Sequence, residues 1–189
     1  EWSFDPIKHG FANDVEFIGY LPYRKSTDIA ESPIGIGYEV LDRDCYDFAK
    51  TLPVMKNSGV KWARVQTGWI KCERRKGDYS FDWLNEIVDG LRGVGIQPWL
   101  SVSYGNPLYM PVENPKQSFA YHPLQFGDEC RRAWENYCAA LAAHYRERVF
   151  HWEIWNEPNA GFWGNATDPR PVSPDPAEYA ELVAVSAAA

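Results

Sequence analysis

An amide and a carboxylate, Asn156 and Glu157, stand at the end of an apolar run and are followed at once by Pro158. The run before them, Phe150-His151-Trp152-Glu153-Ile154-Trp155, reads as a buried strand. An acid at the tip of such a strand, at the mouth of a barrel or sheet, is placed to give or take a proton. Strand alternation puts Glu153, Trp155 and Glu157 on one face, Ile154 and Asn156 on the other. Asn156 and Glu157 serve one site only if the strand ends or bulges at that point. Pro158 favours this, because proline stops the ladder and holds the residue before it extended.

One carboxyl group makes a general acid or base. Cleavage of a glycosidic bond needs two, roughly 5–5.5 Å apart with retention and 6.5–9.5 Å apart with inversion. Glu153 is a poor partner, since four strand steps put it about 13 Å away and deep in the sheet. It reads instead as part of a core network, with Arg64 as a natural counter-ion. The second carboxylate must come from another strand. Trp155, Trp163 and Trp69 offer flat apolar faces for a sugar ring. Tyr104 and Asn106 lie just past another strand, and His122 lies in the loop beyond; all three are candidate contacts.

These groups need elements to position them. Strands are expected at 34–40, 60–66, 96–103 and 149–156, each followed by a helix. Asp44 is expected to cap the first helix, with stripe Phe48, Leu52 and Met55 and a kink at Pro53. Asp82 is expected to cap the second, with stripe Leu84, Ile87, Val88 and Leu91. The third runs over 128–146. The fourth begins at Asp175-Pro176-Ala177-Glu178, with Asp at N-cap, Pro at N1 and Glu at N3. Residues 67–80 and 104–127 read as loops. Pro98 sits inside the third strand and needs a position that donates no ladder hydrogen bond.

Strands alternating with helices imply a parallel sheet. Long loops follow the strands and short turns precede them, which fits a (β/α)8 TIM barrel with its chemistry on the βα loops. No Gly-x-Gly-x-x-Gly follows the first strand, which argues against a dinucleotide fold. Four units make half a barrel, since a whole one takes about 250 residues. The expected division is an irregular lead-in over 1–33 and the N-terminal half of a barrel over 34–189. The C-terminal half, on the same or a second chain, is the expected partner.

The chain has 189 residues, 45% of them hydrophobic and 24% charged, as a globular domain would. A net charge of −7 speaks against nucleic acid and anionic membranes, and no apolar run is long enough to span a bilayer. Nine Trp and eleven Tyr suit a carbohydrate ligand. Cys45, Cys72, Cys130 and Cys138 form no Cys-x-x-Cys pair, so four free thiols are expected, with no metal site and no cofactor. The compartment is open, with the thiols leaning to the cytoplasm. The chain begins at Glu1 with no signal peptide and reads as processed or partial.

The run Trp152-Glu153-Ile154-Trp155-Asn156-Glu157-Pro158-Asn159 resembles the fourth-strand motif of the clan A glycoside hydrolases. Three further stretches resemble the same clan. They are Lys61-Trp62-Ala63-Arg64-Val65, Gly77-Asp78-Tyr79-Ser80-Phe81-Asp82-Trp83-Leu84, and Gly161-Phe162-Trp163 with Pro176-Ala177-Glu178-Tyr179. The likeness covers about residues 34–189 and is strongest to family 39, the β-xylosidase and α-iduronidase group. It implies a retaining (β/α)8 enzyme acting on β-linked or uronic glycosides. Glu157 would be the acid/base, Asn156 would bond the sugar 2-hydroxyl, and Arg64 would lie beneath the site and hold the nucleophile. That nucleophile belongs at the end of strand seven, and no residue here matches it. Residues 1–189 alone are therefore expected to be inactive. The alternatives are a sugar-binding barrel without the nucleophile and a half-barrel assembly module.

Overall fold

The computed structural model describes residues 22–39, 41–110, 121–159 and 175–189. Four parallel strands form one sheet: β1 (Gly35–Gly37), β2 (Trp62–Gln66), β5 (Gln97–Val102) and β6 (His151–Ile154). They lie in chain order, β1-β2-β5-β6, with no reversal. A doubly wound sheet reverses direction at a switch point; an unbroken order is an arc of a barrel. Helices α1 (Phe48–Lys56), α3 (Asp82–Gly93) and α4 (Gly127–Tyr145) connect the strands, and α5 (Pro176–Ala188) follows β6.

Register divides the sheet into two faces. Gly37, Arg64, Trp99 and His151 are aligned across all four strands, and the next layer aligns Gln66, Ser101 and Glu153. These side chains line the concave face. The alternate residues Ala63, Val65, Leu100 and Val102 are buried against the helices. Leu84, Ile87, Val88 and Leu91 from α3 meet them, with Trp134, Tyr137 and Leu141 from α4. The apolar stripe expected of α3 is therefore part of the core. Trp69 stacks between Tyr109 and Tyr137, at ring-centre distances of 5.4 and 5.6 Å.

Pro98 sits where it costs nothing. Gln97 N–H donates to Lys61 and Thr67 N–H donates to Ser101 O, so odd residues of β5 face β2. Trp155 N–H donates to Val102 O, so even residues face β6. The β6 ladder starts only at Trp99 opposite His151, one residue after Pro98. The missing N–H falls outside the ladder.

Three expected boundaries differ. Asp47, not Asp44, caps α1, its Oδ1 accepting from Lys50 N–H at 3.2 Å. Asp44 instead takes a left-handed φ of 55° and receives Lys71 Nζ at 2.5 Å. Asp82 is the first residue inside α3; Phe81 holds the cap position, its ring buried against the core. Residues 67–80 are not a plain loop. They hold a short helix, α2 (Trp69–Cys72), and an antiparallel hairpin, β3 (Glu73–Arg75) with β4 (Asp78–Tyr79). Gly77 turns that hairpin at φ 77°. Asp175 caps α5 as expected, accepting from Ala177 N–H at 2.8 Å.

Of the lead-in, residues 22–33 contribute a 3-10 turn at Ser26–Asp28 and one bridge from Arg24 to Ser58. Cys45 is exposed, and Cys72, Cys130 and Cys138 are buried; all four are free thiols. Burial pushes the three buried thiols up to about 12, which makes them inert packing groups. Among the described residues no helix is long and apolar enough to cross a membrane.

Candidate active site

The site grows from the end of β6. The strand stops at Ile154, and Trp155 takes a φ of 69°. Left-handed backbone is an outlier for a bulky residue. Two contacts hold it: Trp155 N–H donates to Val102 O at 2.9 Å, and Ser101 Oγ donates to Trp155 O at 3.1 Å. On the other side, Tyr179 Oη from α5 donates to Ile154 O at 3.0 Å. This reversal breaks the alternation. Trp155 goes into the core, while Asn156 comes to the concave face and shares Arg64 Nη2 with Glu153. Glu157 is also left-handed, at φ 47°. Strained non-glycine backbone of this kind gathers at functional sites.

Arg64 occupies the centre. Its Nε and Nη2 donate to the two oxygens of Glu153, at 2.7 and 2.6 Å. Its Nη1 donates to Glu39 Oε1. Its Nη2 also reaches Asn156 Oδ1 at 2.9 Å and Ser101 Oγ at 3.3 Å. Asn156 Nδ2 then donates to Glu157 Oε2 at 3.3 Å. A continuous chain of polar contacts thus runs from Glu39, just past β1, and from Glu153 in β6, through Arg64, to the tip. The hydrogen bonds that it donates to Glu153 raise the Arg64 guanidinium above its ordinary value, so it is charged at any working pH. Two carboxylates around one guanidinium leave the cluster net negative.

The concave face below Arg64 is a hollow of about 470 Å³, lined by Pro33, Trp62, Arg64, Trp99 and His151 among others. Trp62 and His151 meet edge to face at 4.7 Å. Glu157 is exposed on the rim. The burial that an acid role calls for is not supplied by the described residues.

The other predicted contacts occupy different places. Trp155 is 1% exposed and packs edge to face on Tyr104 at 5.7 Å and on Trp134 at 6.0 Å. Tyr104 is buried, and its hydroxyl accepts from Gln66 Nε2 at 2.7 Å. Burial pushes that phenol up to about 12, so it stays protonated. His122 is 1% exposed; its Nδ1 accepts from Leu124 N–H, and its Nε2 lies 3.2 Å from Glu178 O in α5. Burial lowers its pKa and favours the neutral ring. Asn106 is fully buried, donating to Glu73 O at 2.9 Å and accepting from Leu108 N–H at 3.0 Å. Trp163 lies outside the described residues. The structure brings Arg64, Asn156 and Glu157 together, and places Tyr104, Trp155 and His122 in an aromatic layer behind the tip. Glu39 and Ser101 were not among the predicted residues. Ser101 had a signal in register, since it shares the concave face with Glu153 opposite it; Glu39, two residues past the short β1, had none. Among the described residues no cluster of His, Cys, Asp and Glu could hold a metal.

Residues 43–166 match the sequence model of a glycoside hydrolase family 42, described as beta-galactosidase. The beta-galactosidase BbgII of Bifidobacterium bifidum is 28% identical over 123 residues, which are 55% of this chain and 17% of that protein. A family 39 glycoside hydrolase from Bacteroides cellulosilyticus superposes with a TM-score of 0.56 at 24% identity, over 80% of this chain and 27% of that one. A family 39 beta-xylosidase from Caulobacter crescentus gives a TM-score of 0.57 at 21% identity, over 82% and 36%. The expected likeness to family 39 thus holds at the level of fold, and the chain spans under a fifth of the length of the curated relative above. With the match over most of its residues, the chain belongs to the glycoside hydrolase family 42 (beta-galactosidase) within the clan A barrels.

Proposed function

We propose that this chain carries the acid/base side of a retaining glycoside hydrolase acting on β-linked sugars. The observation that carries the reading is the contact chain Arg64–Asn156–Glu157 at the carboxyl end of parallel barrel strands. In the first step Glu157 gives its proton to the glycosidic oxygen as the C–O bond breaks. A carboxylate from the complementary half of the barrel bonds to the anomeric carbon. In the second, the ionised Glu157 takes a proton from water, and the water oxygen displaces that carboxylate. Asn156 Nδ2, already turned toward Glu157, donates to the sugar 2-hydroxyl. Arg64 stays charged and steadies the incoming nucleophile. The complementary half and the bound sugar would bury Glu157 and keep it protonated as the acid.

The β-linkage is supported by relatives named beta-galactosidase and beta-xylosidase. Residues 1–189 alone hold one of the two carboxylates and should turn over no glycoside. The reading is tested in the complete barrel with Glu157→Gln. General acid catalysis is worth about 10²–10⁴-fold, so kcat/KM for alkyl glycosides should fall by about that factor. Dinitrophenyl glycosides, whose leaving group needs no proton, should lose far less. An equal loss on both substrates would remove the acid role. A sugar-binding barrel without the nucleophile would turn over neither substrate, even before mutation.

A further inference from the structure

Glu153 lies outside the proposed chemistry, yet it is the one residue of the cluster that holds Arg64 through two hydrogen bonds, at 2.7 and 2.6 Å. We infer that Glu153 is a positioning residue: it locks the Arg64 guanidinium so that Asn156 must present its amide N–H, not its carbonyl, to the sugar. The inference rests on the role proposed above for Asn156.

An asparagine amide has two ends that differ in chemistry and hardly in shape. Nothing in the side chain itself decides which end faces the substrate. Here the neighbours decide. Glu153 takes Nε and one Nη2 hydrogen of Arg64 in a two-pronged bond, which fixes the guanidinium plane. Glu39 takes Nη1 from the opposite side. The second Nη2 hydrogen is shared, with Asn156 Oδ1 the nearer acceptor at 2.9 Å and Ser101 Oγ the farther at 3.3 Å. With its oxygen held, Asn156 can only turn Nδ2 outward, toward Glu157 Oε2. The Arg64 side chain is 16% exposed and that of Glu153 26%, so both are partly shielded from water. Ser101 Oγ, 3.3 Å from Nη2 and bonded to Trp155 O, ties the clamp to the backbone turn that carries Asn156.

Glu153→Gln keeps the shape and removes the charge. A Gln amide offers one acceptor, so one prong is lost and its NH2 opposes a guanidinium hydrogen. The plane is freed, and Asn156 loses its reason to face one way.

The readout is discrimination between a glycoside and its 2-deoxy counterpart in the complete barrel. The unmodified enzyme should prefer the parent sugar by at least about tenfold, the worth of one hydrogen bond. Glu153→Gln should lower kcat/KM for the parent by about tenfold and leave the 2-deoxy sugar nearly unchanged, so the preference collapses. Glu153→Asp, which keeps the charge on a shorter arm, should retain part of it and serves if the Gln variant does not fold. Asn156→Ala should lose the same preference, with no further loss on adding Glu153→Gln. A preference that survives in both Glu153 variants, or parent and 2-deoxy sugars that fall together, overturns the positioning role and leaves Asn156 intact. If Asn156→Ala itself keeps the preference, the role of Asn156 fails and the inference fails with it.

Discussion

Trp155 and Glu157 take left-handed φ angles on either side of Asn156, and that local geometry decides what the tip can do. In the sequence, alternation placed Asn156 and Glu157 on opposite faces, and Pro158 pointed to a break. The break is real, but it falls at Trp155, and its cause is remote. Ser101, Val102 and Tyr179 pin the turn from two other elements. Arg64 opposite Glu153 was legible, because a buried arginine needs a carboxylate and Glu153 shares the concave face. Glu39 was not, since a three-residue strand gives too little alternation to fix a register. The same limit applies to Asp42, just past that strand. It is 8% exposed, 3.4 Å from Arg43 Nε, and its Oδ1 accepts no hydrogen bond among the described residues. Burial raises its carboxyl above the ordinary value of 3.8. A raised folded pKa means that the contribution to stability is full below 3.8 and is lost as pH climbs through the folded value. Asp42→Asn carries no charge at any pH. It should be more stable than the unmodified protein at pH 7 by on the order of 1 kcal/mol. The gap should close as pH falls toward the ordinary carboxylate range. Urea unfolding at a series of pH values measures it; a pH-independent gap, or a less stable variant, contradicts this account.

At the scale of elements, the apolar stripes of α3 and α4 and the alternation in β2 were legible because core burial enforces a period. Caps were less so. Asp44 and Asp47 are both plausible starts for α1, and the choice falls to Asp47 because Lys71 draws Asp44 away from the helix. The hairpin at β3 and β4 was missed because its organiser is a buried charge, which no periodicity reveals. Glu73 is fully buried and accepts from Trp69 Nε1 at 2.5 Å, from Gly77 N–H at 2.6 Å and from Tyr109 Oη at 2.5 Å. Those donors come from α2, the hairpin turn and the loop after β5. One carboxylate therefore fastens two βα loops on the face where the site opens. Asn106, expected to touch substrate, belongs to this knot through Glu73 O. Glu73→Ala removes the shared acceptor of the buried Trp69 indole, the partly buried Tyr109 hydroxyl and the exposed Gly77 N–H. A loss of about 2 kcal/mol in chemical unfolding is expected. Glu73→Gln, which keeps part of the set, should lose less. Equal stability of Glu73→Ala and the unmodified protein would show that the loops are held by packing alone.

For the molecule as a whole, four parallel strands in unbroken order form an arc whose concave face carries the site. The arc was readable from the alternation of elements and from long loops following strands. Its chemistry was readable only at the tip of β6, where residue types are unusual. Trp99, on the concave face, is 39% exposed, and Phe150, just before β6, is 66% exposed. Such surfaces suit the complementary strands of a closed barrel, which would also bring the second carboxylate across from Glu157. The proposed division of labour, acid/base on this half and nucleophile on the other, has one direct test. In the complete barrel, Glu157→Ala should form the glycosyl-enzyme from a dinitrophenyl β-glycoside and then stall, because no base activates water. Azide needs no base. Its nitrogen should bond to the anomeric carbon as the enzyme carboxylate departs, restoring turnover and yielding the β-glycosyl azide, identifiable by proton NMR. That product is the predicted result. No rescue by azide, or an α-glycosyl azide, would contradict Glu157 as the acid/base of a retaining enzyme.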